Sequence, residues 1–312
     1  KKDRNWEVLD EYGIKYKIIG NTTGKGRFQK AVVLVYSTVR HLIEAVKFKP
    51  DVLIWRPSPM MSITSFLIGR KNIVYCDTER SKEALFFSKL FSYKILTPMY
   101  YRLDLGEKQM RVNTFKELFY LHPKYFKPNS KDLKLVGLTS KDKFTFVRFV
   151  AWNASHDLGH QGMSNEQKMR IVKHLEKYGK VLVSSEAPLP HEFDKYIIHV
   201  PHSKIHSIMS FAQLFVGDGL TMAFECNVMG IHSIFTSEMT SGASDELEKV
   251  YHLLYVVDDR EHMVEKTIKK IDELLNDKDL KKKGQEKLKR LLDDKIEMNE
   301  WFVDYLEKEV GK

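Results

Sequence analysis

The sequence predicts an α/β protein built from two domains, each a parallel sheet flanked by helices. Three observations carry this reading. Short, β-branched apolar runs alternate with amphipathic helical stretches along most of the 312 residues. The alternation runs its course twice in succession. No apolar run approaches the ~20 residues that a membrane-spanning helix requires, and 43% hydrophobic content is that of an ordinary soluble chain.

In the first half, strands are expected at 15–19, 51–55, 72–76 and 93–97, with helices at 28–47, 60–68 and 79–91 between them. The second half repeats the pattern, with strands at 144–149, 181–184, 197–200, 214–216 and 233–235 and helices at 165–178, 203–210, 221–229 and 243–251. Helices of this length between strands imply right-handed crossovers and parallel sheets, and two such sheets imply two Rossmann-like domains with a cleft between them. The segment 121–143, with His122-Pro123 and Lys127-Pro128-Asn129, reads as the connection. The expected division is 1–138, 139–290 and a C-terminal helix, 291–312, that packs back on the first domain. The chain opens at Lys1-Lys2-Asp3-Arg4, without Met, directly into what reads as the end of a helix. A first strand is therefore expected to precede it.

Charge is uneven. Residues 1–138 hold 26 Lys and Arg against 13 Asp and Glu, and the remainder 25 against 29. A basic first domain suits an anionic small molecule or an anionic membrane face. Scattered solvated lysines are the plainer account of the same numbers. No zinc finger, recognition helix or single-strand signature points to nucleic acid. Cys76 and Cys226 lack metal-ligand spacing and read as reduced, buried residues of a cytoplasmic protein.

Ligands of open parallel sheets bind at the carboxyl ends of the strands, and the loops there hold the chemistry. Phe215-Val216-Gly217-Asp218-Gly219-Leu220-Thr221 reads as strand, glycine turn and helix start. Backbone N–H groups and the positive end of a helix dipole converge at such a turn and hold phosphate. Thr221 adds a hydroxyl. Glu225 lies one turn further on the same face and can accept from ribose or sugar hydroxyls. The alternative is a plain βαβ corner in which glycine only relieves steric strain. Arg148, near the end of the strand at 144–149, can reach phosphate. The long loop after it carries Trp152, Asn153, Ser155, His156, Asp157 and His160 before a helix capped by Ser164. Either histidine can act in chemistry or in loop hydrogen bonding. His206 sits on a helix just before the glycine turn, where a base can rest. In the first half, Asp77 and Glu79 are candidate general bases or binders of an acceptor hydroxyl; helix capping is their structural alternative.

The run Val112-Asn113-Thr114-Phe115-Lys116-Glu117-Leu118-Phe119-Tyr120-Leu121-His122-Pro123 resembles a signature of domain-of-unknown-function family 354. So do Asp77-Thr78-Glu79, Arg148 through Asp157, Lys204-Ile205-His206 and Gly217 through Glu225. The resemblance implies a GT-B-like fold, shared by glycosyltransferases and UDP-N-acetylglucosamine 2-epimerases, with parallel sheets facing across a cleft. It places a nucleoside-diphosphate sugar, UDP-linked, in the second domain, with Gly219 to Thr221 at the phosphates and Glu225 at the ribose. The first domain then takes a glycan or lipid-linked acceptor at the inner membrane face. The resulting site has Asp77, Glu79, His156 and Asp157 as catalytic candidates. Arg148, Asn153, Ser155, His206, Gly217, Asp218, Gly219, Thr221 and Glu225 are its nucleotide and phosphate contacts, and no metal or other cofactor is required. The implied function is glycosyl transfer; epimerisation and binding without catalysis are the alternatives. Two departures stand out: Leu220 occupies a position where a second glycine is expected, and Thr114 lies near another expected glycine.

Overall fold

In the computed structural model, residues 5–19, 26–79, 82–151 and 162–311 are described. Two units form: Lys1–Thr114 with Glu297–Lys312, and Phe115–Ile296. The sequence reading divides the chain later, at 138/139. Segment 115–138 is tied into the second unit by Ser207, whose Oγ accepts from Asn129 N at 2.8 Å.

The first unit begins with helices α1 (Asn5–Glu11) and α2 (Arg27–Phe48). Its sheet is β1 (Val52–Trp55), β2 (Lys71–Tyr75), β3 (Lys94–Pro98) and β4 (Gln109–Val112), parallel throughout and in that spatial order. Helix α3 (Pro59–Leu67) crosses from β1 to β2, and α4 (Lys82–Phe91) from β2 to β3. Pro59 suits its place at the start of α3, where its missing N–H would have had no helical partner.

The second unit holds α5 (Leu118–Leu121), β5 (Phe144–Phe149), α6 (Asn165–Leu175), β6 (Lys180–Ser185), α7 (His202–Met209) and β7 (Leu214–Gly217). It continues with α8 (Leu220–Asn227), β8 (Ser233–Phe235), α9 (Gly242–Lys249), β9 (Leu254–Val256), α10 (Met263–Leu275) and α11 (Leu280–Asp294). The five strands are parallel in the order β6-β5-β7-β8-β9. Phe144, Phe146, Val147, Phe149, Phe215, Val216, Ile234 and Phe235 are buried along the central strands. Apolar residues at adjacent positions, as in Phe146-Val147 and Phe215-Val216, are what a sheet covered on both faces demands. Ser164 caps α6 as expected: its Oγ accepts from Gln167 N, and Gln167 Oε1 accepts from Ser164 N. The last helix, α12 (Met298–Val310), belongs to the first unit, where Lys71 Nζ donates to Glu309 O at 2.7 Å.

The fold class is the predicted one, two parallel α/β sheets, with local corrections. Segment 15–19 is not a strand. Ile14, Tyr16 and Ile18 alternate as a strand would, yet they stand exposed, and no described neighbour offers them a ladder. Segment 197–200 is reduced to one bridge, Ile197 to Val183. Strands β4 and β9 were not anticipated. Among the described residues, no helix is long and apolar enough to cross a membrane.

Candidate functional site

The glycine turn lies where β7 ends and α8 begins. Gly217 pairs with Arg148 of the neighbouring β5 so closely that a Cβ on it would come 2.1 Å from Arg148 O. A side chain there is excluded by backbone, which has nowhere to go. Gly219 is the N-cap of α8, and a Cβ on it would sit 2.9 Å from Arg148 Cγ. The turn is thus kept bare so that the arginine stem can lie against it.

Gly219 has no side chain with which to cap α8, and among the described residues no other side chain is seen capping it. Its first N–H groups have no partner within the helix, and Thr221, in that first turn, is exposed. An open helix start with the positive end of its dipole is an anion site in form. Leu220 does not strain it. Among the described residues, the non-glycine positions with positive φ are Lys49 and His252. Neither Leu220 nor Thr114 therefore needs a glycine's backbone freedom.

Arg148 is itself engaged. Its Nη1 donates to Ser184 Oγ at 2.7 Å and its Nη2 to Glu186 Oε1 at 2.7 Å. The second carboxylate oxygen of Glu186 accepts from Ala151 N at 3.1 Å. Glu186 holds the guanidinium at the strand ends and offsets its charge. Asp218, also buried, accepts from Val150 N at 2.8 Å. That contact ties the glycine turn to the start of the loop after β5, a structural task for a residue expected among the phosphate contacts.

Glu225 is nearly sealed from solvent on the second turn of α8. Its Oε1 accepts from Tyr120 Oη at 2.9 Å and faces His206 Nε2 at 3.0 Å. The Tyr120 and His206 rings lie 5.6 Å apart, and Phe126 meets the His206 ring edge-on at 6.4 Å. Glu225 and His206, predicted separately, are brought together. Tyr120 completes the group and was not foreseen as a site residue, because its contact spans 105 positions of sequence and no spacing rule reaches across it.

In the first unit, Asp77 and Glu79 follow β2 and precede α4, which begins at Lys82 rather than at Glu79. Asp77 pairs with Arg56 Nη2 at 3.4 Å, and Glu79 Oε1 accepts from Arg102 N at 3.1 Å. Beside them the buried Cys76 thiol shares a hydrogen bond with Tyr101 Oη at 3.1 Å, and burial pushes it up to about 11. It is no nucleophile at neutral pH. Asn153, Ser155, His156 and Asp157 lie outside the described residues.

No protein-family model matches the chain, and no curated protein matches it by sequence. Solved structures do. MnaA of S. aureus, in a co-structure with UDP, superposes with a TM-score of 0.65 at 11% identity, over 98% of this chain and 86% of that one. The spinosyn forosaminyltransferase SpnP gives 0.60 at 12%, over 98% and 89%. The UDP-GlcNAc 2-epimerase of Neisseria meningitidis, bound to UDP-GlcNAc, gives 0.59 at 11%, over 90% and 82%. The fold is therefore GT-B-like, of the kind found in glycosyltransferases and UDP-GlcNAc 2-epimerases; at these identities the likeness is one of fold.

Proposed function

We propose that the protein binds a nucleoside-diphosphate sugar, UDP-linked, at the β7–α8 turn and transfers the sugar to an acceptor hydroxyl. The observation that supports this most is the uncapped start of α8 beside Arg148, with Glu225 one turn along the same helix. Fixed N–H donors, a helix dipole and a guanidinium match the charge that builds on a departing diphosphate. Asp77 and Glu79 are the proposed carboxylates for deprotonating the acceptor. The basic first half favours an anionic or lipid-linked glycan acceptor, met at a membrane face. The resemblance to family 354 and the UDP and UDP-GlcNAc held by the structural neighbours support the same reading. Thermal melting with a panel of nucleoside diphosphates tests it: UDP is expected to raise the melting temperature, and Glu225→Ala to abolish the shift. A panel that produces no shift rejects the site.

Epimerisation of a UDP-sugar is the second reading, favoured by the 2-epimerases among the neighbours. It needs acids and bases but no acceptor. Incubation with UDP-GlcNAc in deuterated water separates the two, because only an epimerase places deuterium at C2 without an acceptor present.

A further inference from the structure

We infer that Tyr120 is a specificity-determining residue: together with His206 it sets the Glu225 carboxylate to receive the vicinal hydroxyls of a ribose, so that ribonucleoside diphosphates are selected over their 2′-deoxy counterparts. The inference rests on the nucleotide site proposed above and concerns how that site chooses its ligand.

Three elements meet here. Tyr120 comes from α5, His206 from α7 and Glu225 from α8. Both partners fall on the same carboxylate oxygen, Oε1. An ionised carboxylate only accepts, with about two lone-pair directions on each oxygen. The Tyr120 hydrogen bond on Oε1, with His206 Nε2 3.0 Å from the same oxygen, crowds that oxygen and holds the group from turning about its last bond. A ligand's hydroxyl donors are then met by Oε2 in one orientation. Burial adds force to the choice. The Glu225 side chain is 10% exposed, so an acceptor there that loses its donor is not made good by bulk water. A site built to bond a hydroxyl discriminates strongly against the analogue lacking it, for that reason. The His206 ring in turn packs against both Tyr120, at 5.6 Å, and Phe126, at 6.4 Å. Tyr120 therefore acts twice, as a donor and as a wall.

Titration calorimetry of the full chain with UDP and with 2′-deoxy-UDP is the test. The wild-type chain is expected to prefer UDP by about tenfold. Tyr120→Phe keeps the ring and loses the donor. It should erase most of that preference by weakening UDP alone, leaving 2′-deoxy-UDP as in the wild type. His206→Gln, which keeps a donor, should retain more of the preference than His206→Ala. A purely structural role for Tyr120 would weaken both nucleotides alike, and that result, or unchanged binding of both, overturns the inference. If the wild-type chain binds neither nucleotide, the nucleotide site itself is rejected and the selection rule with it.

Discussion

Lys295 and Glu246 form an ion pair inside the second unit with both side chains almost wholly removed from water, at 1% and 2% exposure. The ammonium also lies over the rings of Phe115, at 4.8 Å, and Tyr251, at 5.4 Å. Phe115 is the first residue of this unit and Lys295 comes one residue before its end, so the pair gathers both points where the chain crosses between units. Burial pushes the Glu246 carboxyl up, while Lys295 draws it back towards the charged form. Removing one member of such a pair strands a charge; replacing both with apolar groups need not. Lys295→Met is expected to cost about 3–5 kcal/mol, and Lys295→Met combined with Glu246→Leu to recover most of the loss. Urea unfolding of the four chains of the cycle measures this. Equal additive losses would show that the two side chains do not depend on each other.

His232 gives the protein an acid-sensitive core. It is buried beneath Tyr255, with Nδ1 3.0 Å from Tyr255 Oη and the two rings stacked at 5.8 Å. Desolvation by burial holds it down at about 3, helped by the Lys287 and Lys283 charges and opposed by Asp277. Its unfolded value is near 6.5. The contribution to stability is therefore complete above about pH 6.5 and is lost as the pH falls towards 3, because only the unfolded chain takes up the proton. The loss at pH 5 comes to about 2 kcal/mol. Unfolding midpoints at pH 7 and pH 5 should separate by that amount in the wild type, and His232→Gln should flatten the difference.

How much of this was legible depends on what each feature rests on. Strands β7 and β8 were readable because a doubly covered parallel strand places apolar residues side by side, as in Leu214-Phe215-Val216 or Ile234-Phe235, and β5 shows the same in Phe146-Val147 despite Thr145 and Arg148. Gln109–Val112 carries no such run: Arg111 points its guanidinium to the carbonyls of Met99 and Tyr101, and the strand exists because β3 offers it a ladder. Segment 15–19 is the converse, with the right alternation and no strand beside it among the described residues. The glycine turn was legible from its pattern of apolar strand, Gly217-Asp218-Gly219 and helix, although what crowds both glycines is Arg148 of the neighbouring strand. The joining of Tyr120, His206 and Glu225 was not, because it depends on three elements packing together.

The two glycines should fail differently. At Gly217 a Cβ would meet the carbonyl oxygen and carbon of Arg148 at 2.1 and 3.0 Å, all backbone in a central strand. Gly217→Ala should therefore break the β5–β7 pairing and lower stability by several kcal/mol, on the order of other steric insults to a packed core. At Gly219 the nearest atom is Arg148 Cγ, a side-chain atom that can shift. Gly219→Ala should fold and should lose nucleotide binding, because the arginine is displaced from the turn. Circular dichroism melts and nucleotide titration on the two variants check both halves.

Glu186 sets how much of the Arg148 charge is available to a diphosphate. The pair is 2.7 Å long, with the guanidinium 19% and the carboxylate 45% exposed, so water moderates the interaction without cancelling it. A diphosphate approaching the α8 start must compete with Glu186 for the guanidinium and also feels the repulsion of its carboxylate. Glu186→Gln removes the charge and leaves an amide oxygen to accept from Arg148, while Ser184 still holds Nη1. Affinity for UDP is expected to rise about threefold to tenfold. Arg148→Lys should lower it, since an ammonium cannot bond Ser184 and a phosphate oxygen in one plane as the guanidinium fork does. The gain in Glu186→Gln should shrink as salt is raised from 50 mM to 500 mM, roughly as the Debye length falls below the separation of the charges. Titrations at both salt concentrations decide it: a Glu186→Gln chain with unchanged or weakened UDP binding at low salt would place the diphosphate away from Arg148.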